Sequence, residues 1–158
     1  MIDTRESIKQ RLHELLTSEK LAVLSTNDGE QPYVNLVGFV ATADLKYLLF
    51  ATARNTRKYA NLKGNTHVAL LIDNRSDQDT DFQHTLAVTA TGIAEEVTTQ
   101  DREQWLPRYL AKHPHLADFV NAPSCALIRV KVAWYYLVSH FQSVLAVPMH
   151  ASTQGGKI

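Results

Sequence analysis

The hydrophobic positions follow a helical period first and a strand period afterwards. Ile8, Leu12, Leu15 and Leu16 recur at i, i+4, i+7 and i+8, with Glu6, Lys9, Gln10 and Glu14 off that line, which makes one apolar face of a helix. The pattern changes at Leu21. Leu21–Thr26 reads as a strand, and Asn27-Asp28-Gly29 as a turn, because Asn and Gly tolerate positive φ. A second strand is expected over about Tyr33–Ala41. A third runs over Lys46–Thr52, and its unbroken apolar centre predicts burial on both faces. Arg54–Leu62 has helical spacing and stops at Gly64. Val68–Ile72 is a fourth strand and Asp73–Gln83 a polar loop. From Thr85 to Val97, Leu86, Val88 and Ala90 alternate with Thr85, Thr89 and Thr91. Trp105, Leu106, Tyr109 and Leu110 mark a later helix, which Pro107 is expected to kink or split. The last strand sets Ile128, Val130, Val132, Trp134, Tyr136 and Val138 on one face and Arg129 and Lys131 on the other.

Short antiparallel strands without βαβ alternation argue against a doubly wound parallel sheet. The expected fold is mainly β with some helix: a six-stranded antiparallel barrel flanked by helices. There is no internal repeat or linker, so residues 1–150 are expected to form one domain, followed by a tail over 151–158. Sixteen basic residues balance sixteen acidic ones, which argues against a nucleic-acid partner or a basic membrane arm. No apolar run approaches the roughly 18–20 residues of a membrane-spanning helix. The polar N-terminus does not read as a signal peptide, and the lone Cys125 has no intrachain partner. A cytoplasmic location is the expectation.

The most informative stretch is Thr52-Ala53-Arg54-Asn55-Thr56-Arg57-Lys58. It places three cations at the start of a predicted helix, the end that carries partial positive charge, where each is unfavourable by roughly 0.3–1 kcal/mol. A bound anion reverses that sign. The helix start also offers backbone N–H groups, and Thr52 and Thr56 offer hydroxyls. Phosphate binding and a solvated basic patch both account for this pattern.

The segment from Phe50 to Leu62 resembles the motif of the pyridoxamine 5'-phosphate oxidase-like FMN-binding split barrels. In that motif a strand ends in Thr, and Ser or Thr followed by Arg-Lys opens a short helix. Asn65 with Val68–Leu71, and Gly92-Ile93-Ala94-Glu95, fit its continuation. The resemblance implies a split β-barrel, a homodimer, and FMN at the subunit interface. By position, Thr52, Thr56, Arg57 and Lys58, with Ala51 beside them, would hold the phosphate and ribityl chain. Asn35, Leu36, Val37 and Gly38 would lie along the ring. The oxidases also reach the phosphate with an Arg from the second strand. No Arg or Lys occurs here between Lys20 and Lys46, so Arg54 is the candidate for that contact. The oxidases' Gln five positions before the matched Gly is Ala87 here, which leaves Gln83 or His84 to substitute. Related barrels bind a deazaflavin, which also carries phosphate. A haem-utilisation subset has a helix resembling Tyr109-Leu110-Ala111-Lys112-His113-Pro114, so haem is an alternative cofactor.

The resemblance implies a small oxidoreductase; a haem-binding or haem-utilisation protein on the same barrel and a non-catalytic flavin-binding module are the other readings. A true pyridoxamine 5'-phosphate oxidase is not expected. Those enzymes bind the substrate phosphate through Arg-x-His after the last strand, and this chain reads Val138-Ser139-His140. No residue stands out as a general acid or base; His84 and His140 qualify by type only. Seven histidines lack a metal-ligand spacing, so no metal site is expected. Dimerisation is also expected from the apolar strand Tyr47–Phe50 and the long aromatic strand, which one small barrel would leave partly uncovered.

Overall fold

The structure is a computed structural model, and it describes residues 4–75, 85–139 and 143–150. Gln83, His84, His140, most of the acidic loop and the tail over 151–158 lie outside the described residues. Helix α1 (Arg5–Ser18) is capped by Thr4, whose hydroxyl accepts from the Ser7 amide, and it buries Leu12, Leu15 and Leu16. Strands β1 (Leu21–Asn27) and β2 (Pro32–Ala41) form a hairpin. Its turn is organised by Asp28, which accepts from the Glu30 and Gln31 amides, and by Gly29 at φ +119°. Next come β3 (Tyr47–Ala53), α2 (Arg57–Gly64), β4 (His67–Asp73) and β5 (Leu86–Glu96). They are followed by α3 (Arg102–Lys112), a single 3-10 turn, α4 (Ala117–Asn121), β6 (Cys125–Ser139) and β7 (Ser143–Pro148).

Every strand pairing is antiparallel. The order β3-β2-β1-β4-β5-β6 closes on itself through β3 and β6, which makes a six-stranded barrel. β7 is a seventh strand on the far half of β6, pairing Trp134–Ser139 with Ser143–Pro148. The last strand expected from the sequence ends at Val138 and does not include it. The barrel interior holds Leu24, Phe39, Leu48, Phe50, Leu70, Val88 and Tyr135, with α1 over one end. A second cluster of Leu49, Ala51, Trp105, Tyr109, Val120 and Leu127 lies between β3, β6 and the helices α3 and α4. β3 is therefore buried on both faces within one chain. Its apolarity does not by itself call for a second subunit.

Two expectations are corrected. Helix α3 runs uninterrupted through Pro107, which sits on the exposed face, where water can satisfy the carbonyl that loses its donor. Trp105 and Tyr109 on the opposite face hold the helix down. The second correction concerns β6. Gly92 pairs with Val132 and Thr91 with Trp134, so Ala133 has no partner on β5 and the strand bulges there. The extra residue exchanges the two faces. Tyr135 and Leu137 continue the buried row of Val130 and Val132, while Trp134, Tyr136 and Val138 turn outward. Opposite the bulge, a Cβ on Gly92 would lie 2.3 Å from the Lys131 carbonyl oxygen, so only glycine fits.

Candidate functional site

The barrel is split between β2 and β3. β2 pairs with β3 only through Phe39–Phe50, Val40–Leu49 and Ala41–Leu48. Beyond Phe50, β3 stays with β6 as far as the Ala53–Cys125 pair and leaves β2 behind. The same register would set Val37 opposite Thr52, but no ladder forms there. From Pro32 to Gly38, β2 is paired only with β1, and the edge facing the departing strand carries no strand partner. The turn Arg54–Thr56 and the start of α2 follow directly from this end of β3.

The helix start is built by hydroxyls. Thr56 is the N-cap, accepting from the Tyr59 amide at 3.3 Å and donating to the Ala53 carbonyl at 2.8 Å. Thr52 is fully buried, with its Oγ1 3.0 Å from that of Thr56. Both threonines thus shape the turn, and the backbone N–H groups of Arg57 and Lys58 are left without intrahelical acceptors. Arg57 is exposed, with its guanidinium 5.5 Å from the centroid of the Tyr33 ring on β2. Lys58 is half-buried, and among the described residues no hydrogen bond or ion pair is made to its ammonium. Burial holds its pKa below the ordinary lysine value. On β2, the Oδ1 of Asn35 is buried with no hydrogen-bond partner.

The other predicted positions go elsewhere. Val37 packs into the barrel, Ala51 into the second cluster, and Leu36 faces outward. Arg54 does not point into the split. Its guanidinium bonds the Glu96 carboxylate at 2.6 Å, the Pro123 carbonyl at 2.7 Å and the Cys125 carbonyl at 3.3 Å. Gly38 is held from behind by α3. Tyr109 donates to its carbonyl at 3.3 Å, and a Cβ there would touch both Tyr109 and His113 at 3.4 Å. His113 is buried and donates from Nε2 to the Phe39 carbonyl at 2.8 Å. Lys112 donates to the Leu16 carbonyl at the end of α1 and lies 4.0 Å from the Phe39 ring centroid.

Sequence reasoning did not find Tyr33, Tyr59 or Glu96. Only Tyr59 carried a signal, its place one turn into a cation-rich helix. Glu96 is 42 residues from Arg54, and nothing local marks it. No group of three or more metal-ligating side chains occurs among the described residues. No helix among them is long and apolar enough to cross a membrane.

A family model described as pyridoxamine 5'-phosphate oxidase matches residues 8–139. No curated protein is significantly similar in sequence. Among solved structures, the chain is similar to a haem-binding protein from Mycobacterium smegmatis, with TM-score 0.80 and 14% identity over 92% of this chain and 60% of that one. It is also similar to an FAD-binding protein from Mesorhizobium loti, with TM-score 0.64 and 16% identity over 80% and 81%. The haem storage protein HutZ from Vibrio cholerae matches with TM-score 0.63 and 18% identity over 78% and 89%. At these identities the likeness is one of fold.

Proposed function

The chain belongs to the pyridoxamine 5'-phosphate oxidase family, and on that premise we propose that it is a flavoprotein holding FMN in the split between β2 and β3. The observation that carries this reading is Lys58, a half-buried ammonium with no hydrogen-bond or ion-pair partner among the described residues, beside a helix start whose first amides lack intrahelical acceptors. A half-buried charge with no counter-ion is unfavourable unless a ligand neutralises it. A phosphate monoester fits Arg57, Lys58 and the two amides in charge and in donor chemistry. The unpartnered edge of β2 and the orphaned Asn35 acceptor suit a flat, hydrogen-bonding ring and its hydroxylated chain. Arg54 is committed to Glu96, so the phosphate would be met by two cations rather than three.

A bound flavin would supply hydride or electron transfer to a small oxidoreductase. This chain's own residues would anchor the phosphate, border the ring and exclude water. A second copy would complete the site. Val34 and Leu36 on β2 are 60% and 63% exposed, and with Leu71 and Ile93 they form an outer apolar face suited to one. Haem is a weaker reading here, because the Tyr109 and His113 of its motif are spent on the carbonyls of β2. Pyridoxamine 5'-phosphate itself is not expected to turn over, since no Arg follows Arg129 and Lys157 is the only cation after Lys131.

The test is titration of the colourless protein with FMN and, separately, riboflavin, with absorbance and sedimentation recorded. FMN is expected to bind at least ~100-fold more tightly, because two charge-assisted contacts are absent with riboflavin. The complex is expected to sediment as a dimer. Equal affinities would refute the phosphate site, a Soret band would point to haem, and a monomer at saturating FMN would refute the shared interface.

A further inference from the structure

We infer that Glu96 is a positioning residue for the cofactor phosphate, acting through α2 rather than by touching the ligand. This rests on the FMN reading above. Helix α2 has only eight residues, buries only Asn61 and Leu62, and carries two cations and no acid in its first turn. A helix this short is marginal by itself, and its first-turn charge is unfavourable. Its place therefore depends on tethers. On the β1 side, Asn61 donates to the buried Thr26 hydroxyl at 3.0 Å. On the β5 side the packing is incomplete: a cavity of about 220 Å³ lies between Tyr59, Leu62 and Lys63 of the helix and Ala94 and Glu96 of the strand.

Glu96 spans that side. One carboxylate oxygen accepts from Arg54 at 2.6 and 3.2 Å, and the other accepts from the Tyr59 hydroxyl at 2.9 Å, with Lys63 at 3.7 Å. Arg54 carries the tether onward to the carbonyls of Pro123 and Cys125, and its own amide donates to Ser124. The first residue of the turn, the residue three into the helix and the residue one helical turn later thus converge on one carboxylate. Between them lie Thr56, Arg57 and Lys58. The network also pairs Arg54 and Lys63 with the Glu96 carboxylate. It fixes the direction of α2 and leaves Arg57 and Lys58 as the charges presented to the phosphate.

The experiment compares wild type, Glu96→Gln and Tyr59→Phe in two measurements. The first is the ratio of riboflavin to FMN dissociation constants, which isolates the phosphate contribution. Each variant is expected to lower the ratio about tenfold while riboflavin affinity stays within about threefold, as for loss of a positioned charge-assisted contact. General destabilisation would not change the ratio selectively. The second is native-state amide exchange without cofactor. The α2 amides are expected to exchange at least ~10-fold faster in Glu96→Gln, with β1 and β4 unchanged. If wild type shows no preference for FMN, the cofactor reading fails, and this inference with it. If wild type prefers FMN and both variants keep the ratio, or α2 exchange is unaltered in Glu96→Gln, the positioning role alone is overturned. Tyr59→Phe removes one hydroxyl and keeps the ring, so it serves if Glu96→Gln does not fold.

Discussion

The two halves of β2 are made of similar residues and have opposite fates. In the half from Gly38 to Ala41, β3 pairs with the last three residues and α3 with its C-cap seals carbonyls from outside. Tyr109 bonds Gly38, His113 bonds Phe39, and the Lys112 ammonium lies against the Phe39 ring. In the half from Pro32 to Val37, β3 has gone to β6, Asn35 keeps an orphaned oxygen, Arg57 lies over the Tyr33 ring, and Lys58, next to it in sequence, has no hydrogen-bond or ion-pair partner among the described residues. Polar groups are expensive to bury in either half. Where the protein itself supplies the partner, the group is structural. Where it supplies none, the proposed reading has a ligand supply it. The histidine of the haem-like motif thus belongs to the frame, and on the proposed reading the lysine of α2 belongs to the site.

The largest expected effect lies in the closed half. His113→Ala removes a buried ring and strands the Phe39 carbonyl, so it should lower unfolding stability by about 3 kcal/mol. Denaturant titration measures this. The FMN-to-riboflavin preference of the folded fraction should be unchanged, and a lost preference would show that the halves are not independent.

The open half should answer in the reverse way. Lys58→Met should weaken FMN binding on the order of tenfold or more while leaving the stability of the cofactor-free protein equal or higher, because a half-buried unpaired charge is removed. Calorimetric titration and thermal melting separate the two effects. A destabilised apo-protein would place Lys58 in the frame instead.

A pH series sharpens the contrast from the closed side. Burial pushes the Lys112 pKa down to about 8, below its unfolded value of about 10.4. Between those values the unfolded chain binds more protons than the folded one, so this lysine's contribution to stability rises with pH through that window. Below pH 8 its unfavourable share is constant. Wild type should therefore gain stability relative to Lys112→Met as pH rises from about 8 to 10.4, measured by urea midpoints. A flat difference would mean that the Leu16 carbonyl and the Phe39 ring compensate the buried charge fully.

The smallest expected effect is at Asn35. Asn35→Leu removes an unsatisfied acceptor and should stabilise the apo-protein by up to about 1 kcal/mol. It should also reduce FMN affinity by a few-fold, within the net worth of one neutral hydrogen bond. Improved stability with unaltered affinity would remove Asn35 from the site and leave the phosphate contacts in place.

Local pattern determined a good deal of this protein. The helix over Ile8–Leu16, the strands of the barrel and the two-sided burial of Leu48–Phe50 are periodicities of 3.6 and 2 written in neighbouring residues. The cations at the start of α2 were legible as an electrostatic anomaly, because the helix dipole is itself a local property. Tertiary structure alone decided the rest. The exchange of faces at Ala133 depends on Gly92 across the sheet, and a bulge has no signature in the strand that carries it. Arg54 and Lys58 look alike in sequence. One meets Glu96 42 residues away and becomes part of the scaffold, while the other has no hydrogen-bond or ion-pair partner among the described residues. A charge's role depends on what solvates it, and that is set by which distant groups the closed barrel brings within hydrogen-bonding distance.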